Sequence, residues 1–109
     1  MKSRRSKACD IPLAVKKKVW ERDGHKCIVC WNNKAMPNGH FISRANGGLG
    51  IEENIVTLCS ICHKNFDQTV ERPEYREYIR AYLKSTYLNW DEKKLVYKKG
   101  ENYGRERKK

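Results

Sequence analysis

The chain has 109 residues, 39% hydrophobic and 34% charged, with 24 basic against 13 acidic side chains and a formal net charge of +11. That is apolar material for one small domain and not for two. No apolar run approaches the roughly 18 residues of a membrane span, which excludes a transmembrane protein and any membrane partner. Met1-Lys2-Ser3-Arg4-Arg5-Ser6-Lys7 is not followed by the apolar stretch of a secretory signal, so a cytoplasmic location is expected.

The charge sits at the ends. Residues 1–26 hold nine basic and three acidic residues, residues 27–91 hold seven of each, and residues 92–109 hold eight and three. Basic ends of this kind track phosphates without reading sequence, or simply keep a small protein soluble. The excess points to a polyanionic partner, with DNA as the default.

In chain order, residues 1–10 read as a disordered basic arm. Residues 11–23 read as a helix, with Pro12 in its first turn and Gly24 at its end. Val15 and Val19 share a face with Ile11, and Lys16, Lys17, Lys18 and Arg22 fall on the other side. That lysine face is solvated, or it contacts phosphate at Lys16 and Lys17. A strand is expected around His40-Phe41-Ile42, then a glycine-rich loop at Asn46-Gly47-Gly48, then a β-branched strand over Asn54–Leu58. A second helix begins near Cys62 and runs through Asp67. A third spans roughly residues 73–87, with Tyr75, Ile79, Tyr82 and Leu83 at helical spacing. Arg72, Arg76, Arg80 and Lys84 form a basic stripe on it, either surface or phosphate contact. The tail over 89–109 is lysine-rich, with Leu95-Val96-Tyr97 as its apolar anchor.

Four of the five cysteines form two Cys-x-x-Cys pairs, Cys27/Cys30 and Cys59/Cys62, with 28 residues between the pairs. Each pair sets two thiolates on one tight turn, and two such turns supply the four sulfurs of a tetrahedral Zn²⁺ site. Disulfides are disfavoured without a secretion signal, and a redox dithiol would be expected once, near a βαβ pattern. A structural zinc that the fold depends on is therefore expected. Cys9 is left over as a free thiol.

Interlaced with the two pairs lie His40, Asn54 and His63. Together with Ile11-Pro12, Val19–Gly24, Gly39-His40-Phe41-Ile42-Ser43-Arg44, Gly47-Gly48 and Glu53–Leu58, this ordered set resembles the HNH endonuclease family, of the type with a four-cysteine zinc ribbon, over residues 11–67. The resemblance implies an α+β fold of ββα-metal type, with a hairpin at about 39–44 and 53–58, a helix from near Cys62, and flanking helices over a domain of 11–88. It implies hydrolysis of DNA phosphodiester bonds at a catalytic site of His40, Asn54 and His63. His40 would be the general base, suited to it by an imidazole pKa near ~6.5. His63 would hold a catalytic Mg²⁺ or Mn²⁺. Asn54 would fix the loop, orient His40 or bind the ion.

Gly39 stands where many members carry a metal ligand, and Asp67, four residues after His63, is the candidate substitute. Arg44, with Lys16, Lys17, Arg76 and Arg80, would contact nucleic acid. Phage origin, packaging proteins as partners, and a monomer or weak dimer also follow from the resemblance. The alternative is a non-catalytic zinc-ribbon DNA-binding protein in which Gly39 marks a degenerate site.

Overall fold

A computed structural model describes residues 3–67 and 73–99. Its elements are α1 (Arg4–Cys9), α2 (Leu13–Arg22), β1 (Ala35–His40), β2 (Ile55–Cys59), α3 (Ser60–Asp67) and α4 (Pro73–Thr86). The architecture is a small α+β domain around one antiparallel hairpin of β1 and β2.

β1 begins earlier than expected and ends at His40, so Phe41 and Ile42 lie just past the strand. Its sequence, Ala-Met-Pro-Asn-Gly-His, is a poor strand by propensity. The pairing explains how it is tolerated. Met36 faces Leu58 and Gly39 faces Val56, so three steps on β1 answer two on β2. The extra residue forms a bulge at Pro37-Asn38, where proline has no N–H to give to the ladder. Gly39 is closely packed: a Cβ on it would lie 2.7 Å from Leu58 Cδ1 and 3.2 Å from the Val56 carbonyl, so a side chain there would displace Leu58. β2 is buried along its whole length, which suits its run of β-branched and apolar residues.

The core gathers Phe41, Val56, Leu58, Phe66, Ile79, Leu83 and Leu95 around the cysteines. Phe41 stacks on Phe66 at 6.4 Å and meets Trp90 edge-on at 5.7 Å. α4 contributes Ile79 and Leu83, both fully buried, as its periodicity predicts.

Both ends depart from expectation. The residues expected as a disordered arm form α1, capped by the Ser3 hydroxyl at the Ser6 N–H, with Ala8 and Cys9 buried. The Gly50 N–H donates to the Ala8 carbonyl at 3.0 Å, and a Cβ on Gly50 would lie 1.9 Å from the Asp10 carbonyl oxygen, so only glycine allows this approach. The boundary drawn at residue 88 also shifts. Leu95 is buried, Val96 bridges to Gly48, and the Leu49 N–H donates to the Leu95 carbonyl at 2.8 Å, so the tail folds back as far as Tyr97. Arg72 and residues 100–109 lie outside the described residues. No helix among the described residues is long and apolar enough to cross a membrane.

Candidate metal centre and the adjoining groove

Cys27 and Cys30 lie on the turn after α2, Cys59 closes β2, and Cys62 lies in the first turn of α3. The first turn is tied to β2 by the Ile28 N–H on the Thr57 carbonyl, and all four Sγ atoms lie within 4.8 Å of one another. Cys30 and Cys59 approach to 3.5 Å. Tetrahedral ligands at about 2.3 Å from one ion stand about 3.8 Å apart, so the set fits a single metal ion. A multi-iron cluster spreads its ligand sulfurs further.

Backbone N–H groups of Val29 and Cys62 donate to Cys27 and Cys59 Sγ, each at 3.4 Å, the arrangement that supports thiolate charge. Burial raises the Cys59 thiol, yet the hydrogen bonds of Cys62 and Cys30 outweigh it and bring it down to about 7. Burial pushes Cys62 strongly up. Four sulfurs this close that do not share an ion cannot all ionise. Cys30 is exposed and the other three are buried.

A groove of about 620 Å³ lies beside the hairpin, lined by Asp10, Lys16, His40, Arg44, His63 and Asp67 among others. The fold thus collects most of the expected site residues. His40 Nε2 lies 2.9 Å from the Cys9 carbonyl, which can only accept, so this nitrogen carries the proton and Nδ1 is left to accept. Burial lowers the His40 pKa first, the Cys9 carbonyl opposes this, and the charges of Arg44 and His63 lower it further. His63 Nε2 and Asp67 Oδ2 share a helix face, 3.8 Å apart, as the four-residue spacing predicts. Arg44 pairs with Asp10 at 3.0 Å and reaches Ser6. Lys16 is half-buried at the wall, while Lys17 is exposed outside it.

Two expected roles change. Asn54 is fully buried: its Oδ1 accepts from the Ile42 N–H at 2.8 Å, and its Nδ2 donates to the Leu49 and Ile42 carbonyls at 2.9 and 3.2 Å. Every donor and acceptor position that matters is spent on the 42–49 loop, so of the roles open to it Asn54 takes the loop clamp, not a catalytic one. His63 and Asp67, expected as ion ligands, face one another, and His40, expected as a base, lines the same groove. Among the described residues the four cysteines are the only group of three or more ligand side chains with ligand atoms this close. Arg76 and Arg80 do not form a free stripe. Arg76 lies 4.6 Å over the Phe41 ring and donates to the Phe41 carbonyl, and Arg80 is held by Glu77 and Glu92.

Sequence reading also missed Arg22, placed on the solvated face. It is buried against Asp23 and hydrogen-bonded to Tyr87 and to the Glu52 and Ile55 carbonyls. The signal was available: Arg22-Asp23 lies one residue, Glu21, past the apolar Val19-Trp20 pair.

The chain is 35% identical over 51 residues to anaredoxin of Nostoc sp., an alignment covering 46% of this chain and 67% of that protein. No protein-family model matches the chain, and no solved structure does. This similarity overturns the expected function. The relative is by name a redoxin and not a DNA hydrolase, so the endonuclease reading is corrected; the similarity lends no support to the DNA-binding alternative or to a catalytic Mg²⁺ or Mn²⁺. Asn54, expected in the catalytic site, is spent on the 42–49 loop.

Proposed function

The chain belongs to the anaredoxin family, and on that premise we propose that it is a non-enzymatic electron carrier built on one iron ion held by Cys27, Cys30, Cys59 and Cys62. The observation that carries this reading is the closeness of the four Sγ atoms, which suits a single tetrahedral ion of the thiolate-loving kind. Iron bound there supplies one electron, taken up and released. The protein's part is to hold the ligands still between one oxidation state and the next. β2 and α3 fix Cys59 and Cys62, and the Ile28 N–H donating to the Thr57 carbonyl at 3.1 Å ties the first turn to β2. The N–H groups aimed at Cys27 and Cys59 favour the more electron-rich, reduced centre.

Zinc is the second reading, favoured by the way the two turns staple strand, helix and loop into one core. It would make the centre structural only. The HNH-like order of His40, Asn54 and His63 is then a likeness of scaffold, supported by the sequence of hairpin and α3. DNA is kept as a proposed partner for the groove face alone, where Lys16 and Arg44 lie.

The test is to load the chain anaerobically with Fe²⁺ or with Zn²⁺, count metal per chain, and follow the visible spectrum through reduction and reoxidation. The carrier reading expects one iron per chain and a thiolate-to-iron absorption that bleaches on reduction and returns. A chain isolated with one zinc, whose iron form cannot be cycled, leaves zinc as the answer.

A further inference from the structure

The two cysteine turns carry an exposed apolar cluster that the fold does not use. Trp31 follows Cys30 and is 67% exposed, Ile61 lies between Cys59 and Cys62 and is 69% exposed, and Met36 is 59% exposed. Met36 adjoins Ala35, the residue paired with Cys59. Tyr78, also exposed, is tied to the same turn by its hydroxyl at the Ile28 carbonyl. Four of the six exposed large apolar side chains among the described residues therefore belong to this one neighbourhood. Trp31 sits at φ 66°, a region bulky residues avoid, held there by its N–H on the Cys27 carbonyl. The turn thus leaves the Trp31 ring largely in solvent.

The two cysteine turns themselves carry charge of one sign, with Glu21 beside His25 and Glu74 on α4 as the nearby acids. Segments 24–36 and 59–64 contain Lys26, Lys34 and Lys64 and neither Asp nor Glu. Lys26 Nζ stands 4.6 Å over the Trp31 ring. On the neighbouring α4, Glu77 is paired with Arg80, which leaves Glu74 against three lysines. Nucleic acid would gain little from Met36 and Ile61 at the centre. A protein with an apolar spot inside a rim of carboxylates fits both features.

We infer that this face docks an acidic partner protein, with the exposed Cys30 at the contact. The inference rests on the electron-carrier reading for its purpose: one electron passes between the centre and the partner's own redox group, with no bond made or broken. The docking itself is read from the surface.

The experiment uses the full chain loaded with redox-silent zinc and labelled with ¹⁵N, and cytochrome b5, an acidic haem protein, as the probe. Amide shifts should concentrate in 26–36 and 59–64 and fade with added salt. Affinity should fall about tenfold or more in K26E/K34E/K64E, and also in W31S/I61S. The charge-neutral K26Q/K34Q/K64Q serves if the reversal does not fold. Shifts confined to the Lys16–Arg44 groove, no shifts, or equal shifts from a short DNA duplex would each overturn the docking face. Docking that persists while the iron form fails to exchange electrons counts against the carrier reading and not against the face.

Discussion

Arg22 and Asp23, neighbours in sequence, form a buried fork: Nε and Nη2 of Arg22 meet Asp23 Oδ1 and Oδ2 at 2.7 and 3.1 Å. The Asp23 side chain is fully buried, and its Oδ2 also accepts the Thr57 N–H of β2 at 2.8 Å, with the Tyr82 hydroxyl on Oδ1. The pair thus joins the end of α2 to the hairpin and to α4. Asp23→Asn leaves the guanidinium without its counter-charge. It should cost about 3–5 kcal/mol, read as a lower urea midpoint at unchanged slope. A loss below about 1 kcal/mol would mean that water reaches the pair.

Tyr82 and Tyr87 complete this cluster. Burial raises both hydroxyls, and each is pushed up to about 12 from an ordinary value of 10. A folded value above the unfolded one stabilises the fold below pH 10, and this is lost as pH rises through 12. Tyrosinate absorbance should therefore show two of the chain's tyrosines titrating late, and stability should decline from pH 10 upward. Uniform titration near pH 10 in the native protein would contradict the cluster.

Asn54 offers a separation of structure from chemistry. Asn54→Ala strands the Ile42 N–H and the Leu49 carbonyl, at about 1–3 kcal/mol for each buried group. We expect a loss of about 2–4 kcal/mol in denaturant stability with metal stoichiometry unchanged. A variant of normal stability would remove the loop-clamp assignment.

His40 should make the protein sensitive to mild acid. Its folded pKa is lowered, so the fold prefers the neutral ring, and this stabilisation is complete above pH 6.5 and is lost as pH falls below 6.5 through the folded value. The His40 ring resonance should titrate with a midpoint below 6.5. The pH dependence of stability between 7.5 and 5 should be shallower in His40→Gln, whose amide can still donate to the Cys9 carbonyl. A midpoint above 6.5 would place the ring in water rather than against Cys9.

Removing the metal should unfold more than the cysteine turns. Three of the four ligands, Cys27, Cys59 and Cys62, sit inside the core cluster with Val56, Leu58 and Phe66, and binding energy at such a site is folding energy. Excess chelator should abolish the cooperative thermal transition, and Cys59→Ser should do so even with metal present. Retention of a sharp transition without metal would show that the apolar core suffices alone.

Much of this was legible in the residues because local chemistry dictated it. Paired cysteines on tight turns, the helical period of α4, and His63 and Asp67 on one face depend only on spacing, and spacing is printed in the chain. The hairpin's position was read only roughly, because β1 is held by pairing with the strongly apolar β2 and not by its own propensity. Arg22, Arg76 and Arg80 sit differently from the solvated faces their spacing predicts for a shared reason: a long side chain can lay its stem on a core and spend its charge on partners far away in sequence. Glu52, Glu92 and Phe41 became those partners only on folding.

The ends make the same point. A basic arm and a basic tail look alike as composition, yet Ala8, Cys9 and Leu95 dock on a glycine loop whose missing side chains leave room for backbone contact. By itself the sequence determined a one-domain chain with a four-thiolate centre and a basic surface. The tertiary structure alone decided that Asn54 closes a loop, that His40 hydrogen-bonds the Cys9 carbonyl, and that Arg22 ties α2 to β2. Those outcomes depend on distances between residues remote in the chain, which spacing along the chain does not encode.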